Sequence, residues 1–305
     1  MKETDKRRLL SPKNCCLASI IFLAGIVVLL IFFAPKIGKQ NIAASIAQVK
    51  ATGKIYLYDP EVIDYLLQDA ECRDKLTEVD FMGDFVSDIS DKRFHSLKQF
   101  PHLKIIRLEY LGNVDGFLDG IQGMMSLEEL SFHRSGVSEK GMHCITGFPN
   151  LKRLDFDDHT DLALLDALKG HTGIECLGLY EYKTSNDRLA FIKSFPNLRS
   201  LSLEVDLNDY VLDLHGLPKL EELYLGDSMA TNEAMANLEE MKNLTKLDCE
   251  GHNITDAGLK YLKKMVALRK LDIRFTNVTE KGVKDLQQAL PNCTIKWRPP
   301  TTGKP

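Results

Sequence analysis

The densest group of side chains able to do chemistry is Arg153, Asp155, Asp157, Asp158, His159 and Asp161. Carboxylates beside an imidazole offer oxygen and nitrogen donors to a divalent cation. The spacing does not match an EF-hand loop, whose ligands alternate around a glycine. The same residues suit a strand edge followed by Asx-type turns, in which aspartates bond their own backbone. That second reading is preferred. The sequence holds no Cys-x-x-Cys pair, no His-Glu-x-x-His helix, no nucleophile elbow, no phosphate loop and no dinucleotide fingerprint. No catalytic residue, metal ligand, cofactor or small-molecule substrate is therefore assigned, and the chain is read as a non-enzyme.

These residues sit in a spacing that recurs. Leu76, Val79 and Phe81 begin it, and Leu103, Ile106 and Leu108 repeat it. It continues through Leu127, Leu130, Phe132 and Leu151, Leu154, Phe156, then Ile174, Leu177, Leu179 and Leu198, Leu201, Leu203. Leu220, Leu223, Leu225, then Leu244, Leu247, Cys249, and Leu268, Leu271, Ile273 complete it. The starting positions step by 22 to 27 residues, mostly 24. Side chains alternate across a strand, so the fourth and sixth positions of each unit share a face. One unit cannot bury that face alone, whereas stacked units bury it against each other. The pattern predicts an α/β solenoid, a horseshoe or arc with parallel strands on its concave face and short helices on its convex face.

Helix signals lie between the strands. Ser138-Glu-Lys-Gly-Met142, Thr255-Asp-Ala-Gly-Leu259 and Thr279-Glu-Lys-Gly-Val283 each offer a capping hydroxyl and an acid in the first turn. Proline after Phe100, Phe148, Phe195, Leu217 and Leu290 stops the chain before the next strand. Ser135, His159, Ser228, His252 and Thr276 share one position, three residues after the sixth, and are expected to bond the backbone of the next turn. Asn243, Asn253, Asn277 and Asn292 fit the N-glycosylation pattern, although Thr255 and Thr279 are already accounted for as caps.

Polar residues at alternate strand positions point away from the core. They run from Glu78, Asp80, Arg107, Glu109 and Glu129 to Lys270, with acids in the majority. The candidate partner-binding set is Arg153, Asp155, Asp157, Tyr180, Glu204, Tyr224, Asp248, Glu250, Asp272 and Arg274. Tyr180 and Tyr224 lie two units apart among small residues, and tyrosine joins apolar area to a polar tip. The expected ligand is a basic protein segment. A self-associating structural envelope protein is the alternative, with a metal-binding protein behind it.

Charge is uneven along the chain. Formal net charge is −4, but residues 1–14 carry five cations against two acids, +3, and residues 15–34 carry none, leaving −7 for the remainder. An acidic domain is a poor match for a phosphate backbone, so nucleic acid is not expected as a partner. Residues 15–34 are an uncharged apolar run about 30 Å long as a helix, enough to span a bilayer. The run exceeds a signal-peptide core, and Pro35 follows Ala34 without a small-x-small site. The expected organisation is a basic cytoplasmic tail (1–14), a transmembrane signal anchor (15–34), a linker and N-terminal cap (35–75), the repeats (76–297) and a loose tail (298–305). The basic flank favours a cytoplasmic N-terminus and a periplasmic or extracellular repeat domain.

The stretch GHNITDAGLKYLKKMVALRKLDIRFTNVTEKGVKDLQQALPNCTIKW (251–297) resembles the cysteine-containing class of leucine-rich repeats, also seen in F-box proteins. Taken with the apolar run, the chain is similar to short membrane-anchored bacterial leucine-rich-repeat proteins. The likeness spans roughly residues 41–297. It is specific in the last two units and loses its Thr-Asp-x-Gly element between 157 and 220. It implies a binding role and brings no shared catalytic residues. No F-box-like helical segment precedes the array, which makes a ubiquitin-ligase adaptor the weaker expectation.

Overall fold

The computed structural model describes residues 41–83, 92–184, 186–207, 214, 216–225, 231–250 and 253–298. Among the described residues no helix is long and apolar enough to cross a membrane. The expected anchor at 15–34, the basic tail at 1–14 and all but the first residue of the C-terminal tail lie outside them.

Each repeating triad forms the buried side of a strand. Among the described residues the strands form one sheet of 11 in sequence order, beginning β1 (Lys54–Leu57), β2 (Glu78–Met82), β3 (Ile105–Asn113), β4 (Glu129–Gly136) and β5 (Arg153–Asp157) and ending at β11 (Thr294–Lys296). All pairings are parallel, and the register puts triad on triad: Val79 meets Ile106, Leu130 meets Leu154, and Leu223 meets Leu247. None of the triad side chains is more than 4 % exposed. Phe132 stacks on Phe156 with ring centroids 5.1 Å apart, while Phe81, Phe94 and Phe117 meet edge to face.

A second layer of short helices covers one side of the sheet. Three-ten segments at Lys92–Gln99, Leu162–Leu168 and Asn186–Ser194 bury residues at a spacing of three, such as Leu162, Leu165 and Leu168. That spacing fits a helix with three residues per turn. Helices α4 (Asp115–Ile121), α5 (Glu139–Ile145), α6 (Asn232–Leu238), α7 (Asp256–Leu262) and α8 (Glu280–Ala289) serve the other units. Ser138, Thr255 and Thr279 cap their helices as the sequence predicts, accepting bonds from Lys140, Ala257 and Gly282.

The motif also does something the sequence reading missed. Asp256, in the first turn of α7, accepts bonds from the amide of Thr279 at 2.8 Å and from its hydroxyl at 2.6 Å. Asn232 receives the Thr255 amide in the same way, and Asp115 the Ser138 amide. One repeat thereby holds the start of the next helix. The glycine of the motif leaves room for this clasp: a Cβ on Gly282 would come within 2.2 Å of Asp256 Oδ1, and one on Gly258 within 2.6 Å of Asn232 Oδ1. Asn150, Asn197 and Asn243 add a further tie, each donating at 2.7 Å to a carbonyl of the preceding unit. The side-chain nitrogen of Asn243 that a glycan would need is thus already engaged.

At the ends, α1 (Ile42–Thr52), α2 (Glu61–Gln68) and α3 (Ala70–Lys75) form the N-terminal cap. α2 and α3 separate where Asp69 leaves helical geometry and caps α3 through the Cys72 amide. Trp297 packs on the core at the other end, and its Nε1 donates to Val278 at 3.0 Å. The shared position after each strand behaves unevenly. Ser135 is wholly buried, accepts from the Leu111 amide at 3.2 Å and donates to Leu108 at 3.0 Å, so it ties to the preceding unit, not the next. Thr276 turns back on Ile273 of its own unit. The His159 ring lies against Asp157 and Asp158. Ser228 and His252 lie outside the described residues.

Candidate functional site

The second face of the sheet carries the polar residues, and their pairing divides it into regions. Across β1 to β5 runs a chain of ion pairs: Lys54 with Glu78, Glu78 with Arg107, Arg107 with Glu129, and Glu129 with Arg153. Arg107 also reaches Asp80 at 3.0 Å. Parallel strands set Lys54 beside Glu78 and Arg153 beside Glu129 in register, while Arg107 reaches diagonally to Glu78 on one side and Glu129 on the other. Burial pushes the Glu78 carboxyl up, but the bonds from Lys54 and Arg107 outweigh it and hold the group below its usual range. Asp80 goes the other way, raised by burial and by Glu78 against the pull of Arg107.

Next to this ladder stands Glu109, a half-buried acid at the register position of Met82 and His133. Burial and the nearby Asp80 push its carboxyl up to about 7, against the pull of Arg107. The chain then turns sharply. Tyr110 and Arg134, at equivalent places within β3 and β4, hold φ of 60° and 49°, a region that L residues rarely adopt. The Arg134 guanidinium lies 5.3 Å from the Tyr110 ring centre, and His133 packs edge-on to the same ring.

In the middle of the face, Arg153 lies 3.8 Å from Asp155. Burial lifts the Asp155 carboxyl to about 6, with Arg153 opposing it. Its Oδ1 is buried without a hydrogen bond among the described residues. Tyr180 folds across Gly178: a Cβ there would come within 2.6 Å of the Tyr180 ring and hydroxyl, and 2.2 Å of Asp155 Oδ1. A glycine at this position leaves room for the ring and the carboxylate to approach it together. Glu204 is the register partner of Tyr180 and is half-buried. Tyr224 is more committed than its sequence suggests. Its hydroxyl donates to Glu222 at 2.7 Å, Lys246 bonds that hydroxyl, and the Lys246 ammonium sits 4.4 Å from the ring centre.

Towards the C-terminal end, Asp248, Glu250 and Asp272 bring carboxylate oxygens within 4.8 Å of one another. Arg274 bridges the latter two, bonding Asp272 at 2.8 Å and pairing with Glu250. Lys296 stands 3.7 Å from Asp272. Asp272 is only 7 % exposed, and its acceptor capacity goes largely to Arg274.

Two features of the sequence reading are corrected by this geometry. Asp157 does not lie on the polar face. It is fully buried, accepts bonds from the backbone of Arg134 and of His159, and shapes the turn after β5. Asp161 caps the following three-ten segment through the Ala163 amide at 2.9 Å. The cluster from 153 to 161 is therefore split, with Arg153 and Asp155 on the sheet face and Asp157 and Asp161 serving the turn. Lys54 and Tyr56 lie in β1, in register with Glu78 and Asp80, and extend the face by one strand.

With its repeats, parallel sheet and helical second layer, the chain is a leucine-rich-repeat solenoid. Two crystal structures from Listeria monocytogenes share this fold. One, an internalin (inlF), superposes with a TM-score of 0.52 at 14 % identity, covering 78 % of this chain and 70 % of its own. The other, InlP, gives 0.51 at 17 % identity, covering 78 % and 67 %. No family model matches the sequence, and no curated protein matches it.

Proposed function

We propose that this protein is a membrane-tethered, non-enzymatic recognition module that holds a protein partner against the polar face of its sheet. The observation that carries the reading is the division of labour across the sheet: one side forms the core, while the other carries an ordered array of charged side chains with more carboxylates than cations. Such a face favours a basic, extended segment, because a partner's lysines and arginines would find acids already ordered. Residues 15–34 supply the tether in this reading, with the N-terminus cytoplasmic and the repeats on the far side of the membrane. The fold shared with internalins is compatible with recognition, and the proposal does not depend on what they bind.

The test is binding of the full-length chain, held in lipid nanodiscs, to matched basic and acidic peptides at rising salt. Selective capture of basic peptides, weakening with salt, supports the reading. Equal capture of both kinds rejects it. Self-association alone in sedimentation would favour the structural envelope protein instead. Protease digestion of the repeats in intact cells tests the orientation separately.

A further inference from the structure

The charged residues of the sheet face are unequal as anchors for a basic segment. Arg107 already answers Glu78, Asp80 and Glu129. Arg274 answers Glu250 and Asp272. Glu109 differs, since among the described residues no hydrogen bond or ion pair engages its carboxylate. It stands in a row of register partners across three strands, Met82, Glu109 and His133, with Tyr58, the residue after β1, beside Met82. The Tyr58 hydroxyl donates to Met82 Sδ at 3.7 Å, and Tyr58 is 39 % exposed. Aromatic rings and a thioether beside one carboxylate suit the alkyl stem and charged head of a long cationic side chain.

We propose that Glu109, walled by Tyr56, Tyr58 and Met82, is the anchor that receives a lysine or arginine of an extended basic peptide segment. This rests on the binding role proposed above and adds where the partner's cation lands. Regulation follows from the same place. The groups near Glu109 are Tyr56 of β1 and Tyr58 just after it, Asp80 from β2, Arg107 from β3, and His133 from β4, with Tyr110 packed on His133 and Arg134 over Tyr110. The unoccupied carboxyl titrates at about 7. An incoming cation must find it ionised, so binding expels a proton and strengthens as pH rises. If only the ionised form binds, affinity grows about tenfold between about pH 6 and about pH 8.

The experiment is fluorescence anisotropy of a labelled oligolysine peptide with the full-length chain in nanodiscs, at both pH values. Wild type is expected to bind with that tenfold rise. Glu109→Gln is expected to lose about tenfold at the higher pH and to flatten the profile, while Glu280→Gln, on the helical side, keeps both affinity and profile. His133→Gln retains the rise, which ties the pH dependence to Glu109. Tyr58→Ala, an exposed change, weakens binding at the same site and keeps the test alive should Glu109→Gln fold poorly. Undiminished binding by Glu109→Gln and Tyr58→Ala, with loss in Glu250→Gln, would overturn this anchor and leave the broader reading standing. No oligolysine binding by wild type would remove both.

Discussion

Replacing Gly282 with alanine is expected to destabilise the protein, although alanine is the better helix former. Gly282 lies in the first turn of α8, where a methyl group alone would stabilise by about 0.5–1 kcal/mol. The new Cβ would fall 2.2 Å from Asp256 Oδ1 and 2.5 Å from its Cγ. The carboxylate is the movable party, so it leaves Thr279 and forfeits two charge-assisted bonds. At about 1–1.5 kcal/mol for each partly exposed bond, the loss is about 2–3 kcal/mol. The net expectation is destabilisation by about 1–2 kcal/mol. In an Asp256→Ala background the clash is gone, and the same Gly282→Ala change is expected to stabilise by about 0.5–1 kcal/mol. The assay is a double-mutant cycle in urea, followed by far-ultraviolet circular dichroism, with the coupling read from the four unfolding midpoints. A Gly282→Ala penalty of equal size and sign in both backgrounds would refute the clasp between repeats.

Other expectations follow from the same contacts. Ser135→Ala leaves the buried Leu111 amide without its acceptor and is expected to cost about 1–3 kcal/mol in urea unfolding. Arg107→Met strips the cation from Glu78, Asp80 and Glu129; breaking a buried pair costs about 3–5 kcal/mol, and 30 % exposure of the side chain lowers this to about 2. Glu78 is held low in the folded state, so its contribution exists above its ordinary value and is lost as pH falls through the folded one. The Arg107→Met penalty is therefore expected to be largest near neutrality and to shrink toward about pH 4, measured as unfolding midpoints at several pH values. Gly178→Ala is expected to push the Tyr180 ring off Asp155, read as a downward shift of the Asp155 titration by NMR once water reaches its carboxylate. Deleting residues 15–34 is expected to move the chain from the membrane pellet to the soluble fraction on cell fractionation.

The stacked strands were legible because one side chain in a turn of the coil must repeat its neighbour's type to be buried against it. The first strand was readable from Ile55 and Leu57, but not as a member of the repeat, because its unit breaks that rule. The position equivalent to Leu76 is Thr52, which ends α1 and bonds Gln48, while Ile55 and Leu57 alone keep the register. Alternation was enough to assign the outward residues but not their partners. Arg107 and Glu129 are neighbours only because parallel strands bring positions 22 residues apart side by side. Asp157 shows where alternation fails: the strand ends there, and the carboxylate turns inward to serve the Arg134 and His159 amides. The Thr-Asp-x-Gly element was readable as a helix cap, whereas its link to the next helix required the packed units.

The central claim is that the polar face of the sheet, and not the helical side, meets a protein partner. Photo-crosslinking in intact cells tests it most directly, with the reactive residue placed at Ser131 or Ser202 on the sheet and, separately, at exposed Lys140 or Lys281 on the helices. The account predicts adducts to a different protein from the sheet positions and none from the helical ones. Adducts of equal yield from both sides, or adducts only to a second copy of this chain, would contradict it.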